Sequence, residues 1–152
     1  MQKYDVLKLS NQLCFPLYAC ANEVLKLYKP VLDELGLTYT QYIVMLALWE
    51  RSGISEKELG AILHLDSGTL APVLKRMCAK GLVQKTRSEK DERHVVLSVT
   101  EEGEALKERA VNVPMKVGSC IGLSKEDAEA LFVLINKLLA SFPEKEKRGK
   151  KN

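Results

Sequence analysis

Residues 55–99 place two short helices and a β-hairpin in immediate succession, and this order constrains the fold more than any other feature. Ser55 and Glu58 form a capping-box pattern that opens a helix over KELGAILH. The turn signal LDSG separates that helix from a second one, which ends at Gly81. The period then changes to two residues, since LVQKTR and HVVLSVT are β-prone and flank the polar turn SEKDER. The order predicts a helix-turn-helix followed by a hairpin, which is a winged helix-turn-helix.

Helical patterns flank this unit on both sides. Apolar residues at near-helical spacing predict a helix across residues 7–35, and a capping box at Thr38 opens the next helix. After the hairpin, Thr100 caps one helix and Ser124 caps the last. The proline and glycines of NVPMKVGSCIG predict a break or mobile connection between these two. The predicted fold class is therefore mainly α with a small β-hairpin wing (α+β).

Positive charge is concentrated in one interior block, although the net charge of the chain is only +3. Residues 75–94 hold seven basic and three acidic side chains, whereas residues 1–74 and 95–142 are mildly acidic. A small α+β domain with a solvated basic hairpin is the plain alternative. The order of the elements and the position of the basic block favour a protein that binds double-stranded DNA.

The second helix and the hairpin supply the predicted DNA contacts. Hydroxyl groups near the start of the helix can meet phosphates or base edges. The hairpin tip can place Arg93 in a minor groove, whose negative potential favours a guanidinium group. The predicted DNA-binding residues are Ser67, Thr69, Lys75, Arg76, Lys85, Arg87, Lys90, Arg93 and His94.

The sequence also indicates the cellular compartment of the protein and whether it binds a metal or a cofactor. No apolar run reaches the roughly 18 residues that a membrane span needs, and MQKYDVLKLS lacks the apolar core of a signal peptide. We therefore expect a cytoplasmic protein without a membrane partner. In that compartment the four cysteines are expected to be free thiols, and their spacing does not match a zinc site. We expect neither a metal nor a cofactor.

The run GTLAPVLKRMCAKGLV…RSEKDERHVVLSVTEEG resembles the MarR family of winged-helix repressors. The wing pattern of that family, D-x-R followed by a strand and T-x-x-G, is matched by Asp91, Arg93, Thr100 and Gly103. The order of elements matches over residues 7–142. Within the family, NQLCFPLYA, LDSGTLAP and GLTYTQY resemble the branch that senses organic hydroperoxides, the OhrR-type repressors.

The resemblance implies an obligate homodimer built from a single MarR-type domain over residues 1–142. The winged helix-turn-helix would occupy residues 36–99, and residues 7–35 and 100–142 would supply the dimerisation helices. Apolar stripes on the first and last helices support this, since a small DNA-reading module cannot cover them alone. A two-fold dimer predicts an inverted-repeat operator. The basic tail, residues 143–152, is expected to be disordered.

The stretch LCFPLYACANEVLKLY combines two cysteines, three aromatic residues and an early proline. Pro16 marks either the first turn of a helix or a kink. If a helix starts there, Cys14 lies by its positive end, and the thiol pKa should fall. In the resembling family the cysteine of LCF is the peroxide-reactive residue, and tyrosines at the positions of Tyr28 and Tyr39 hold it; Tyr18, four residues after Cys14, is a further candidate.

Other residues complete the predicted sensor. An apolar pocket of Phe15, Leu17 and Trp49 would favour organic over inorganic peroxide. Some members of the resembling family capture a small thiol after oxidation, whereas others use a second cysteine near the C-terminal helices of the partner subunit. Cys120 lies in the corresponding region and is the candidate for that role. Helical spacing instead predicts core packing for Cys20 and Cys78.

These patterns favour a transcriptional repressor that binds DNA when reduced and releases it when an organic hydroperoxide oxidises Cys14. A MarR-type repressor released by a small phenolic ligand in the same interhelical pocket is the alternative. A thiol peroxidase that uses Cys14 catalytically is less favoured, because an enzyme of that kind needs neither the basic helix nor the wing.

Overall fold

Seven α-helices and one β-hairpin form the described part of the chain, residues 3–88 and 94–143, in the computed structural model. The elements are α1 (Cys14–Asp33), α2 (Tyr39–Glu50), α3 (Glu56–Leu63), α4 (Ser67–Ala79), β1 (Val83–Arg87), β2 (Val95–Val99), α5 (Glu101–Ala110), α6 (Val113–Gly118) and α7 (Lys125–Ala140). The predicted fold class, mainly α with a two-stranded wing, is confirmed. The wing tip, which includes Lys90 and Arg93, and residues 144–152 of the predicted disordered tail lie outside the described residues.

The first long helix begins later than the apolar pattern predicts. Residues Asp5–Leu7 and Leu9–Asn11 form single 3₁₀ turns, and α1 starts at Cys14. Pro16 is the third residue of α1, where a backbone N–H has no acceptor within the helix, so the missing N–H costs no hydrogen bond. Of the two interpretations of this proline, the first turn is correct.

Side-chain caps fix where the helices begin. At α2, the Thr38 hydroxyl accepts from the Gln41 N–H, and the Gln41 side chain accepts from the Thr38 N–H. Ser55 and Glu58 form the same reciprocal pair at α3. Ser124 caps α7 as predicted. Each cap satisfies backbone donors that the first helical turn leaves without partners.

The turn between α3 and α4 depends on two local features. His64 ends α3 in the left-handed region, with φ 54°, and the Leu65 N–H donates to the Gly60 carbonyl at 2.9 Å. A Cβ atom at Gly60 would lie 2.8 Å from the Leu65 carbonyl oxygen, so the tight turn requires glycine there. The Asp66 carboxylate then accepts from the Thr69 N–H at 2.8 Å and opens α4. His64 is thus the exposed C-terminal capping residue of α3.

The wing is an antiparallel pair in which Val83 lies opposite Val99 and Arg87 lies opposite Val95. Leu97 is buried on β2 and also forms a bridge with Ile54, which precedes α3. These contacts fix the hairpin against the helix-turn-helix.

The segment NVPMKVGSCIG is not a simple break, so that prediction was wrong in part. It forms α6, in which Val113 and Val117 are buried against α1. Pro114 is the second residue of α6, where a proline costs no intrahelical hydrogen bond. The two buried valines supply a packing face that stabilises the helix, although the proline and glycines of the segment suggest a break.

Two apolar clusters organise the chain. The first lies beneath the helix-turn-helix and the wing, and it comprises Val44, Met45, Ala47, Leu48, Ile54, Leu59, Leu70, Val73, Leu74, Met77, Val83 and Leu97. The second joins α1, α2, α5 and α6, and it comprises Leu32, Leu37, Tyr42, Leu106, Ala110, Val113 and Val117. Trp49 and Leu82 pack against both clusters. In the part of the chain that is described, no helix is long and apolar enough to cross a membrane.

Candidate DNA-reading surface and thiol site

The outer face of α4 carries polar and basic side chains because its inner face is fixed in the core. Leu70, Val73, Leu74 and Met77 are buried at helical spacing. The opposite face exposes the four residues of α4 that the sequence predicts to contact DNA, namely Ser67, Thr69, Lys75 and Arg76. The two hydroxyl residues lie in the first turn, where the helix dipole favours a phosphate.

The wing extends this surface, with one difference from the prediction. Arg87 and His94 are exposed near the tip, and the Ser88 N–H donates to the His94 carbonyl at 2.8 Å. Lys85 instead pairs with Glu56 of α3, at an Nζ–Oε2 distance of 3.2 Å. A phosphate contact by Lys85 would therefore compete with this ion pair, which links the wing to the first helix of the helix-turn-helix.

Cys14 is the first residue of α1, and its side chain is exposed in the single chain. Phe15 and Tyr18 beside it are 43% and 68% exposed, and Leu17 is partly buried. The thiol therefore lies at a helix N-terminus, in an apolar surface that the described residues leave open. This position is the one that the sequence predicts if Pro16 belongs to the first helical turn.

The remaining cysteines divide between core and surface. Cys78 is partly buried and packs against the first cluster, as its spacing predicts. Cys20 is exposed on α1, so the prediction of core packing was wrong. Among residues 3–88 and 94–143, no other element covers this half of α1. Apolar spacing alone does not reveal which subunit covers a stripe.

Three tyrosines meet at the junction of α1 and α2. The rings of Tyr28 and Tyr39 are 4.9 Å apart, and the Tyr42 ring is 5.8 Å from Tyr28 and 6.5 Å from Tyr39. Burial raises the pKa of each phenol, and the neighbouring tyrosines raise the pKa of Tyr28 and Tyr42 further. The three hydroxyls therefore stay protonated at neutral pH and can donate hydrogen bonds. Sequence reasoning assigned no role to Tyr42, although its spacing of three from Tyr39 places the two on one helix face.

Cys14 does not reach this tyrosine cluster within one chain. Fourteen residues separate Cys14 from Tyr28 on the same helix, which is about 21 Å along the axis. The predicted contact between the thiol and these tyrosines therefore requires two copies of the chain. Tyr18, one helical turn from Cys14, is the predicted tyrosine that lies near it on its own helix.

Cys120 lies in the turn after α6 and is exposed, with its Sγ atom 3.5 Å from the Lys116 carbonyl oxygen. The preceding helix, α6, packs against the C-terminal half of α1, around Tyr28 and Leu32. Cys14 lies at the opposite end of α1. The four cysteines are all free thiols.

An open cleft of about 410 Å³ lies between α2 and the α5–α6 corner. Its walls are mainly apolar, with Tyr42, Leu46 and Trp49 from α2; the charged lining residues are Glu50 and Lys107. Trp49 is held there because its indole N–H donates to the Gly103 carbonyl at 3.0 Å. Of the three predicted pocket residues, Trp49 lines this cleft, whereas Phe15 and Leu17 lie on the first turn of α1 and are not among its lining residues.

Comparison with known proteins agrees with this geometry. A family described as transcriptional regulator SarA/Rot matches residues 26–110. The organic hydroperoxide resistance transcriptional regulator of Bacillus subtilis (strain 168) is 53% identical over 129 residues, which cover 85% of this chain and 86% of the relative. The HTH-type transcriptional regulator SarZ of Staphylococcus aureus (strain USA300) is 42% identical over 82% of this chain and 84% of its own.

Solved structures show the same architecture. Reduced AbfR bound to DNA is 31% identical, with a TM-score of 0.71 and coverage of 91% of this chain and 96% of the other. AbfR of Staphylococcus epidermidis has a TM-score of 0.72 at 29% identity, covering 91% and 94%. The resemblance inferred from the wing and from the N-terminal motif is thus confirmed, and the curated relatives are named as regulators rather than as enzymes. The chain belongs to the MarR-type winged-helix transcriptional regulators, in the branch of the organic hydroperoxide resistance regulators.

Proposed function

We propose that this chain is a cytoplasmic transcriptional repressor that leaves its operator when an organic hydroperoxide oxidises Cys14. The observation that carries the proposal is an exposed thiol at the first residue of α1. It occurs in a chain with the fold of a DNA-binding regulator and 53% identity to an organic hydroperoxide resistance regulator.

DNA binding is proposed to use the exposed face of α4 and the wing. Ser67 and Thr69 contact phosphates or base edges in the major groove, and Lys75 and Arg76 extend the same surface. The proposed wing contacts are made by Lys85, Arg87, Lys90, Arg93 and His94, with Arg93 in the minor groove. Because a guanidinium group is always charged, it suits the narrow and electronegative groove.

The active form is proposed to be a homodimer of one domain, residues 1–142, bound to an inverted repeat. Residues 7–35 and 100–142 supply the dimerisation helices. Within the described residues, α7 has no buried side chain, and Leu131, Phe132 and Ile135 are exposed on it. Burial of this face against a second copy explains why a water-exposed helix carries so many apolar residues.

The sensing reaction is a two-electron oxidation of sulfur. The Cys14 thiolate attacks one peroxide oxygen, the O–O bond breaks, and the leaving alkoxide takes up a proton to become an alcohol. The product is a sulfenic acid at Cys14. The exposed apolar side chains of Phe15 and Tyr18 beside the thiol favour an alkyl peroxide over hydrogen peroxide.

The tyrosines are proposed to act across the dimer. Since Tyr28 lies about 21 Å from Cys14 on the same helix, the hydroxyls that stabilise the thiolate come from Tyr28 and Tyr39 of the partner subunit, with Tyr18 nearby. The raised pKa of Tyr28 and Tyr39 supports this role, because a protonated phenol donates a hydrogen bond and an ionised one does not.

Cys120 is proposed to resolve the sulfenic acid. Its thiolate displaces hydroxide from the Cys14 sulfur of the other subunit, which gives an intersubunit disulfide and, with one proton, water. The exposure of both thiols in the single chain supports this step. The disulfide would shift the dimerisation helices and change the spacing of the two recognition helices.

A repressor released by a small phenolic ligand is the second candidate. The observation in its favour is the open apolar cleft of about 410 Å³, whose lining includes Tyr42, Trp49 and Lys107. An aromatic ring suits the apolar wall, and a carboxylate on it suits the lysine.

A gel-shift titration on the promoter region of the protein's own gene tests the proposal. Wild-type protein, Cys14→Ser and Cys120→Ser are each treated with cumene hydroperoxide, hydrogen peroxide or salicylate, without added thiol. We expect cumene hydroperoxide to release the wild type, whereas Cys14→Ser stays bound. Non-reducing electrophoresis should show a linked dimer in the wild type, and this band should be missing in both serine variants.

Other outcomes would contradict the proposal. Release of Cys14→Ser by peroxide would remove the sensing role of this thiol, and release by salicylate alone would favour the phenolic ligand. If oxidised wild-type protein runs as a monomer and leaves DNA only when a small thiol is added, Cys120 is not the resolving residue.

A further inference from the structure

Lys80 connects the end of α4, which is the proposed recognition helix, to the segment between α1 and α2. It is the residue directly after α4, and its N–H donates to the Arg76 carbonyl at 3.0 Å, which fixes its backbone to the helix. Its Nζ atom donates to the Gly36 carbonyl at 2.6 Å and to Gln41 Oε1 at 3.3 Å. Two polar contacts therefore join elements that are about 40 residues apart in the chain.

The acceptors of Lys80 belong to the turn that positions the tyrosine cluster. Gln41 is 3% exposed, and its Oε1 atom also accepts the Thr38 N–H at 3.1 Å in the capping box of α2. Tyr39 lies between Thr38 and Gln41, as the first residue of α2. One buried amide oxygen thus serves both the turn that carries Tyr39 and the lysine at the end of α4.

The contact borders a cleft that is open to solvent. An open cleft of about 520 Å³ lies beside Lys80, and its walls include Leu35, Leu82 and Arg109. Densely packed cores resist small displacements, whereas a junction beside an open cleft can change its geometry without repacking. At such a junction, directional hydrogen bonds determine how a movement of the α1–α2 segment is transmitted to the end of α4.

We propose that Lys80 is a positioning residue that couples the tyrosine cluster to the recognition helix. This inference rests on the proposed release of DNA by Cys14 oxidation. A displacement of Tyr39 on oxidation moves the Thr38–Gln41 turn, and Lys80 transmits that movement to the C-terminal end of α4. Without the two hydrogen bonds, oxidation still occurs, but the recognition helix keeps its DNA-binding position.

The test compares the operator Kd of the oxidised and reduced forms of each variant. Lys80→Met keeps the aliphatic stem and removes the donor, Lys80→Gln is a second variant that shortens the reach, and Lys80→Arg restores a donor. Lys29→Met removes a lysine from an exposed ion pair on α1 and serves as the matched control. Fluorescence anisotropy on labelled promoter DNA gives both Kd values. The ratio removes the general effect of losing one positive charge, because both forms of a variant share it.

We expect the ratio of oxidised to reduced Kd to fall at least fivefold in Lys80→Met and Lys80→Gln, the lower end of ordinary coupling between sites. Lys80→Arg and Lys29→Met should keep the wild-type ratio. Alkylation assays should show the same rate of Cys14 oxidation by cumene hydroperoxide in all variants. An unchanged oxidation rate shows that a lower Kd ratio reflects lost coupling to the DNA-binding helix and not slower oxidation of Cys14.

An unchanged ratio in Lys80→Met overturns the coupling role, even if both Kd values rise together. Failure of Lys80→Arg to restore the ratio overturns the assignment to the hydrogen bonds. If the oxidised and reduced wild-type proteins have the same operator Kd, the proposed function is wrong, and this inference fails with it. If only the Lys80 variants behave unexpectedly, the inference fails while the proposed function stands.

Discussion

Gly103 gives a physical reason for the T-x-x-G motif that follows the wing. The Thr100 hydroxyl accepts from the Gly103 N–H at 3.1 Å and donates to the Gly81 carbonyl. A Cβ atom at Gly103 would lie far inside contact distance of the Leu82 carbonyl oxygen and 2.6 Å from Val99 Cγ1. The motif therefore closes α5 onto the base of the hairpin, where β1 begins and β2 ends, and only glycine permits this approach.

Gly103→Ala is expected to lower the free energy of unfolding by about 1–3 kcal/mol, since the new methyl group forces backbone atoms apart. Thermal unfolding followed by circular dichroism measures this change. Gly118→Ala is the matched control, because a Cβ atom there meets nothing within 4 Å. In a helix, alanine at that position should be neutral or slightly stabilising. Equal stability of the two variants would contradict the steric explanation.

At the scale of the element, helix starts are decided by a few side-chain hydrogen bonds. The Glu58 carboxylate accepts from both the N–H and the hydroxyl of Ser55, each at 2.8 Å. These bonds lower the pKa of Glu58, and Arg51 nearby lowers it further. Because the cap orients α3, the first helix of the helix-turn-helix, the charge of Glu58 contributes to the placement of the DNA-reading unit.

The sign of the pH dependence follows from the lowered pKa of Glu58. Its contribution to stability is complete above the unfolded pKa near 4.5 and is lost as the pH falls through the lower folded value. Glu58→Gln should therefore unfold at a lower temperature than wild type at pH 6, and the difference should shrink towards pH 3. Glu108→Gln, the same change on the exposed face of α5, is the control. A difference that stays constant from pH 6 to pH 3 would show that the charge of Glu58 does not contribute.

At the scale of the whole molecule, one chain leaves two helical surfaces uncovered. Tyr18 at the start of α1 is 68% exposed, and Phe132 on α7 is 71% exposed. The apolar stripe of α7 has no partner among the described residues of its own chain that would bury it. The proposed contact between Cys14 and the tyrosine cluster also needs a second copy, since Cys14 and Tyr28 lie far apart on one helix.

The double variant Leu131→Glu/Ile135→Glu is expected to dissociate the dimer, because charges placed in an apolar interface lose their hydration. Analytical ultracentrifugation should give the mass of one chain for the variant and twice that mass for the wild type. Operator binding should weaken in parallel, since two recognition helices no longer act together. Lys137→Glu changes charge on the same helix away from the stripe and is the control. A stable dimer in the double variant would place the interface elsewhere.

Sequence alone determined the features that depend on neighbouring residues. The capping boxes at Thr38 and Ser55 and the glycine after α4 each involve contacts within a few positions, so their patterns are visible in the chain. The same local order gave the winged helix-turn-helix and the resemblance that the comparisons confirmed. The polar face of α4 was predicted because its buried face has a clear helical period.

Tertiary structure decided which distant groups meet. Lys80 contacts Gly36, and Trp49 contacts Gly103, across 44 and 54 residues that no local pattern relates. The exposure of Cys20 has the same origin, because an apolar stripe shows that a surface is covered but not by which subunit. The separation of Cys14 from Tyr28 follows from helix geometry once α1 is known to be continuous from Cys14 to Asp33. Long-range contacts depend on the packing of whole elements, which spacing along a single chain does not encode.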